Sequence, residues 1–198
     1  MAKPENRLVI GISGASGVIY GVRLLVALRD LPVASHLIMT RAAEMTLAHE
    51  TDHKASEIRA LADVCYPIND VGAAPASGSF PTLGMIIAPC SMRTLAEIAT
   101  GMTSNLLTRA ADVTLKERRR LVLAPRETPL HAVHLRNMLT LAELGAIIAP
   151  PVPAFYTRPD NLDAMIDHTV GRLLDLFDLD SGRVHRWGLS PPADEGRG

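Results

Sequence analysis

Leu8-Val-Ile-Gly-Ile12, running straight into Ser13-Gly-Ala-Ser-Gly17, decides the fold. The first half has the length and apolar continuity of a buried strand. The second half is a turn of small residues, and a helix from about Val18 to Asp30 follows it. Strand, glycine-rich turn and helix in that order make the opening βα unit of a parallel sheet.

The same alternation continues along the chain. Val33–Thr40 reads as a second strand with a helix carrying on through Leu47, and Ala55–Ala62 as a short helix. Asn69–Thr82 (NDVGAAPASGSFPT) is rich in Pro, Gly, Ser and Ala and reads as loop. Gly84–Cys90 (GMIIAPC) is apolar throughout, as in a sheet covered on both faces. Helices follow at Thr94–Thr100 and Asn105–Lys116, a strand at Arg120–Ala124, a helix at Leu130–Leu144 and a strand at Ala146–Ala149. In the last helix Leu162, Met165, Ile166, Thr169, Leu173 and Phe177 fall at helical spacing, predicting one face docked on the sheet. The expectation is a single α/β domain over residues 1–190, Rossmann-like, with helices on both faces of a parallel sheet. Pro191–Gly198 (PPADEGRG) is expected to be a disordered tail.

Composition narrows the class. The chain has 198 residues, 47% of them hydrophobic, and a net charge of −1. That length holds one full core, and the charge balance gives no footprint for nucleic acid or an anionic membrane. No apolar run reaches the roughly 18 residues of a membrane helix, and the opening Met1–Arg7 lacks the plan of a signal peptide. Cys65 and Cys90 match no metal clip, and their placement in interior-looking segments favours a reducing compartment, hence the cytoplasm.

Gly11-Ile-Ser-Gly-Ala-Ser-Gly17 between strand and helix suits a phosphate, because glycines admit close backbone approach and a helix N-terminus offers free N–H groups. It is neither G-x-G-x-x-G nor a Walker loop, and the second strand ends in Met39-Thr40 without an acidic residue for a ribose hydroxyl. Both absences argue against NAD and against ATP hydrolysis, leaving a mononucleotide such as FMN. Ser91 and Thr94 open the helix after the buried strand, where hydroxyls either cap the helix or bond a ligand. Pro125-Arg126-Glu127-Thr128-Pro129 places charge at a third strand end, so polar groups converge on the edge where open α/β sheets bind ligands.

Four other features have plainer readings. His49-Glu50-Thr51-Asp52-His53 fits the zinc-protease pattern H-E-x-x-H but falls at a helix end with no evident third ligand. Arg118-Arg119-Arg120 reads as a solvated helix C-terminus, and Cys90 as a core thiol. His131 and His134 read as capping or interface residues.

ISGASG (Ile12–Gly17), PASGSF (Pro75–Phe80), PCSMRTL (Pro89–Leu95), RAADVTLKERR (Arg109–Arg119), LAPRETPL (Leu123–Leu130) and PPVPAFYTRP (Pro150–Pro159) occur in that order. From Leu8 to about Trp187 the chain resembles the UbiX-type flavin prenyltransferases, formerly called aromatic or phenylacrylic acid decarboxylases. The resemblance implies transfer of a dimethylallyl group from dimethylallyl phosphate to N5 and C6 of reduced FMN. The prenylated FMN is then delivered to a UbiD-type decarboxylase. It also implies a homo-oligomer, usually a dodecamer, with sites at subunit interfaces, and no metal.

Matched by motif, the FMN contacts are Gly14, Ala15, Ser16, Thr40, Ser91, Met92, Arg93, Thr94 and Arg126. The donor contacts are Lys116, Tyr156 and Arg172, with Arg109 close to them and Trp187 closing over the site. Ser16 and Glu127 are implied in proton handling, and Glu50 as a further site carboxylate. These types suit the chemistry: cations hold a departing phosphate, and a carboxylate accepts the ring proton. Two positions depart from the usual pattern, Val71 where some members carry tryptophan and Thr40 where serine is usual. Two alternatives stand beside this reading. One is a flavin-dependent decarboxylase of a cysteine-type or aromatic acid, which would need a histidine missing from the Asn69–Phe80 loop. The other is a non-catalytic flavin carrier, which would not need Lys116, Arg172 and Glu127 together.

Overall fold

The computed structural model describes residues 6–188. The elements are β1 (Arg7–Ile12), α1 (Val18–Leu28), β2 (Ala34–Met39), α2 (Arg41–Glu50), α3 (Ala55–Leu61), β3 (Val64–Tyr66) and β4 (Gly84–Cys90). They continue as α4 (Met92–Ala99), α5 (Leu106–Lys116), β5 (Arg120–Pro125), α6 (Ala132–Glu143), β6 (Ile147–Ile148) and α7 (Leu162–Asp175), with 3-10 turns at Ala74–Ala76 and Phe155–Thr157. The tail expected at Pro191–Gly198 lies outside the described residues, as does most of the opening Met1–Arg7 segment.

All strand pairs are parallel and the order is β3-β2-β1-β4-β5-β6. The chain builds outward from β1 to β3, then crosses to the other flank of β1 to build β4 to β6. The connections leaving β1 and β4 therefore diverge to opposite faces, and a crevice opens between them at the C-terminal edge.

The unbroken apolar run of β1 follows from burial on both faces. Leu8, Ile10 and Ile12 face α1, α2, α3 and α7. Val9 faces the side carrying α4, α5 and α6, as do Met85 and Ile87 of β4. Strand alternation sends successive residues to opposite sides, and both sides are core.

The structure adds β3, which is three half-buried residues at the sheet edge, too short to carry a period. It starts α4 at Met92, two residues before the predicted start, because Ser91 caps the helix. The predicted docking face of α7 is buried at Ile166, Thr169, Leu173 and Phe177, and Val170 and Leu174 join it. Leu162, at the helix start, is the exception at 69% exposed. The arginine run is not simply solvated either. Arg119 donates to the carbonyls of Gly78 at 2.6 Å and Phe80 at 2.7 Å, pinning the Pro75–Phe80 loop, while Arg120 donates to the Leu176 carbonyl.

Candidate functional site

Ser13 joins the two connections that flank the crevice. Fully buried, it donates through Oγ to the Pro89 carbonyl at 3.0 Å and accepts from the Ser91 amide at 2.7 Å. One hydroxyl thus holds the end of β1 against the end of β4. Sequence reasoning did not single Ser13 out; the available signal was a polar residue directly after an apolar strand.

Gly14 comes next and lies against the first turn of α2. A Cβ built there would stand 2.4 Å from the Ala42 Cβ, so any side chain would part loop from helix. Thr40 caps α2, its Oγ1 accepting from the Ala43 amide at 3.1 Å. Ser91 caps α4, its Oγ accepting from the Thr94 amide at 3.2 Å and donating to Thr94 Oγ1 at 3.1 Å. The first-turn amides of both helices precede the first intrahelical bonds. Both N-termini open on a crevice of about 570 Å³, whose walls include Gly14, Thr40, Arg41, Ala42, Ser91, Met92, Arg93, Thr94, Asn105 and Glu127.

The N-terminus of α1 is occupied differently. Gly17 caps it with φ +94°, and the amides of Gly17 and Val18 donate to Glu50 Oε2 at 2.9 Å and 3.2 Å. The end expected from sequence to face a phosphate thus already holds a carboxylate. The first turns of α2 and α4 line the crevice, where helix N-termini favour anions.

Ser16 is exposed in the loop after β1, and the Ala15 amide turns inward to the Ser13 carbonyl at 2.9 Å. Arg126 follows β5, its amide donating to the Cys90 carbonyl at 3.2 Å. Its charge reaches Tyr20 on α1, whose hydroxyl pKa is raised by burial and partly drawn back by that guanidinium. Glu127 accepts from the Thr128 amide at 3.0 Å.

The remaining candidates fall into two other places. Tyr156 and Arg172 line a groove of about 360 Å³ between β6 and α7, floored by Ile147, Ala149, Val152 and Leu173. Tyr156 Oη lies 3.3 Å from His168 Nε2, and the Trp187 ring meets the tyrosine edge-on, with centroids 5.5 Å apart at 81°. Burial and the neighbouring Arg172 charge push the His168 pKa down.

Arg109 and Lys116 are on α5, across the sheet from α7. Arg109 pairs with Asp112 at 2.7 Å, Lys116 forms an ion pair with Glu117, and helical rise separates the two cations by about 10 Å along the axis. One protomer therefore brings Gly14, Thr40, Ser91, Met92, Arg93 and Thr94 together around the crevice, leaves Ala15, Ser16 and Arg126 outside its lining, and does not bring Arg109 and Lys116 to Tyr156 and Arg172. Val71, at the position where some relatives carry tryptophan, is exposed in the loop after β3.

The competing motifs resolve as structure. α2 ends at Glu50, so His49 and His53 do not share a helix, and His53 pairs instead with Glu57 at 3.7 Å. Among the described residues no group of three or more His, Cys, Asp or Glu is placed to hold a metal ion. Cys90 is fully buried, which pushes its thiol pKa up to about 12, far from a nucleophile's. His131 caps α6, its Nδ1 accepting from the Val133 amide at 3.2 Å, and stacks on His134.

The family model described as Flavoprotein matches residues 1–178. Flavin prenyltransferase UbiX of Escherichia coli K12 is 59% identical over 173 residues, 87% of this chain and 92% of that protein. The chain belongs to the UbiX family of flavin prenyltransferases.

Two solved UbiX-family structures extend the match to the backbone. AnUbiX (PadA1), in complex with FMN and dimethylallyl pyrophosphate, superposes with a TM-score of 0.91 at 53% identity, covering 92% of this chain and 97% of that one. A dodecameric FMN-dependent UbiX-like decarboxylase from Escherichia coli O157:H7 gives 0.90 at 48%, covering 91% and 98%. The 3-2-1-4-5-6 sheet is thus the UbiX-family scaffold.

Proposed function

We propose that this protein binds FMN in the crevice between β1 and β4 and transfers a dimethylallyl group from dimethylallyl phosphate to N5 and C6 of the reduced flavin. The observation that carries the reading is the crevice itself. It lies at the switch point of the sheet, and hydroxyls of Thr40, Ser91 and Thr94 line it at two helix N-termini. That donor set suits a dianionic phosphate, and Gly14 leaves the backbone accessible to a flat ring. The flavin supplies the nucleophilic positions; the chain's residues do the rest.

Arg126 meets a ring carbonyl, and Glu127 takes the proton lost as the fourth ring closes, with Ser16 as relay. Tyr156 and Arg172 hold the donor phosphate from one side, and Arg109 and Lys116 hold it from the other. No metal is needed for a single phosphate met by these cations. Because the two halves of the donor set lie on opposite faces of one protomer, the complete site requires neighbouring protomers of a homo-oligomer. The dodecameric state of the E. coli O157:H7 relative supports that arrangement. The product serves a UbiD-type decarboxylase, and the protein works in the cytoplasm; among the described residues no helix is long and apolar enough to cross a membrane.

Anaerobic incubation with reduced FMN and dimethylallyl phosphate tests the reading. Inorganic phosphate should appear in step with flavin consumed. Donor left intact after prolonged incubation would contradict transfer and favour a flavin carrier.

A further inference from the structure

Asp175, at the end of α7, holds two arginines on a carboxylate whose side chain is only 13% exposed. Oδ2 accepts from Arg172 Nη1 at 2.7 Å. Arg186 grips both oxygens, Nη1 to Oδ2 at 3.1 Å and Nη2 to Oδ1 at 3.0 Å. Forked guanidinium–carboxylate contacts of this kind fix geometry as well as charge.

Arg186 belongs to the segment 181–188, which runs back along α7. Gly171 lets that segment lie flat, since a Cβ there would stand 2.5 Å from Val184 Cγ2. A second clasp joins Arg183 Nη1 to Asp167 Oδ2 at 3.2 Å, and Arg23 holds the same Asp167 at 2.7 Å. The segment ends by setting Trp187 against Tyr156. Asp175 therefore touches both Arg172 and the strap that places Trp187.

We propose that Asp175 is a positioning residue that couples the donor's phosphate to Trp187. The same carboxylate aims Arg172 and holds the strap, so that phosphate engagement and the seating of Trp187 over Tyr156 are one event. The inference rests on the reading of Arg172 and Tyr156 as donor ligands. Arg172 has five N–H donors, and Asp175 occupies one from the side, leaving the others for an anion. Without Asp175 the two guanidinium groups would lose the carboxylate they share, leaving Arg186 with Asp180 at 3.4 Å, and the strap would be held less firmly beside Arg172.

The chain contains one tryptophan, so its fluorescence reports the strap alone. Dimethylallyl phosphate titrated into wild-type protein should change the Trp187 emission saturably, while product formation is followed in parallel. Asp175→Asn should lose that response and raise the KM for the donor about tenfold, with a smaller change in kcat, as expected for losing charge-assisted contacts that position a ligand. Arg186→Gln, a change in a more exposed side chain, should also lose the response but raise KM less, because Arg172 keeps its partner. It decides the matter alone if Asp175→Asn does not fold. The double variant should be no worse than Asp175→Asn, whereas KM increases that simply multiply would overturn the coupling. A wild-type fluorescence response and KM in the single variants would also overturn it, with prenylated flavin still formed and the proposed function intact. Failure of wild-type protein to form prenylated flavin would instead remove the reading beneath.

Discussion

The carboxylate of Glu50, at the end of α2, accepts hydrogen bonds from the amides of Gly17 and Val18 at the start of α1, at 2.9 Å and 3.2 Å. A residue far along the chain thus supplies the cap that Gly17, lacking a side chain, cannot. Glu50→Ala should destabilise the protein by about 1 kcal/mol, the usual cost of a lost cap with its favourable charge. The urea midpoint at neutral pH measures this, and an unchanged midpoint would show that the contact is not made in solution.

Gly14 offers a sharper probe of the crevice. Gly14→Val sets its Cβ where Ala42 already stands, so loop and α2 must separate at the proposed FMN phosphate site. Flavin affinity should fall at least tenfold, by fluorescence titration with FMN, while far-ultraviolet circular dichroism stays near wild type. Undiminished affinity would place the flavin elsewhere.

These two residues also show what could be read from sequence. The βα alternation, the strand-end polar groups and the ordered motifs are local patterns, and they foretold the sheet, the crevice and its Thr40, Ser91 and Thr94 hydroxyls. The role of Glu50 at α1 depends on a contact across more than thirty residues, which no local period encodes. Ser13 is similar: its importance comes from reaching the Pro89 carbonyl and the Ser91 amide, contacts made only once β1 and β4 are neighbours. β3 was missed because three half-buried residues carry no period. The division of the proposed donor residues between opposite faces of the sheet was equally hidden, because motif order says nothing about which face an element covers.

Burial sets a pH dependence at the alkaline end. It raises the Cys90 thiol from 9.0 to about 12 and moves Cys65, Tyr20 and Tyr66 upward as well. In the unfolded chain the Cys90 thiol ionises near its ordinary value, so above it the folded state binds more protons than the unfolded one. The stabilisation is therefore complete below about pH 9 and is lost as pH rises toward 12. Urea midpoints should fall steadily above about pH 9, and Cys90→Ala should flatten part of that slope. An identical slope in wild type and variant would contradict the account.

Glu127→Gln keeps the shape of the crevice wall but removes the carboxylate proposed as the base. FMN affinity should stay within about twofold of wild type, because an amide can still accept from the Thr128 amide. The dimethylallyl group should be attached without the fourth ring forming, which the absorption spectrum of the extracted flavin distinguishes. Full turnover by this variant would take Glu127 out of the proton transfer.

The most direct test is the mass of the flavin extracted from wild-type protein after anaerobic incubation with reduced FMN and dimethylallyl phosphate. Prenyl transfer predicts FMN heavier by one C5H8 unit. Flavin recovered at the mass of unmodified FMN, from protein shown to bind both substrates, would contradict it.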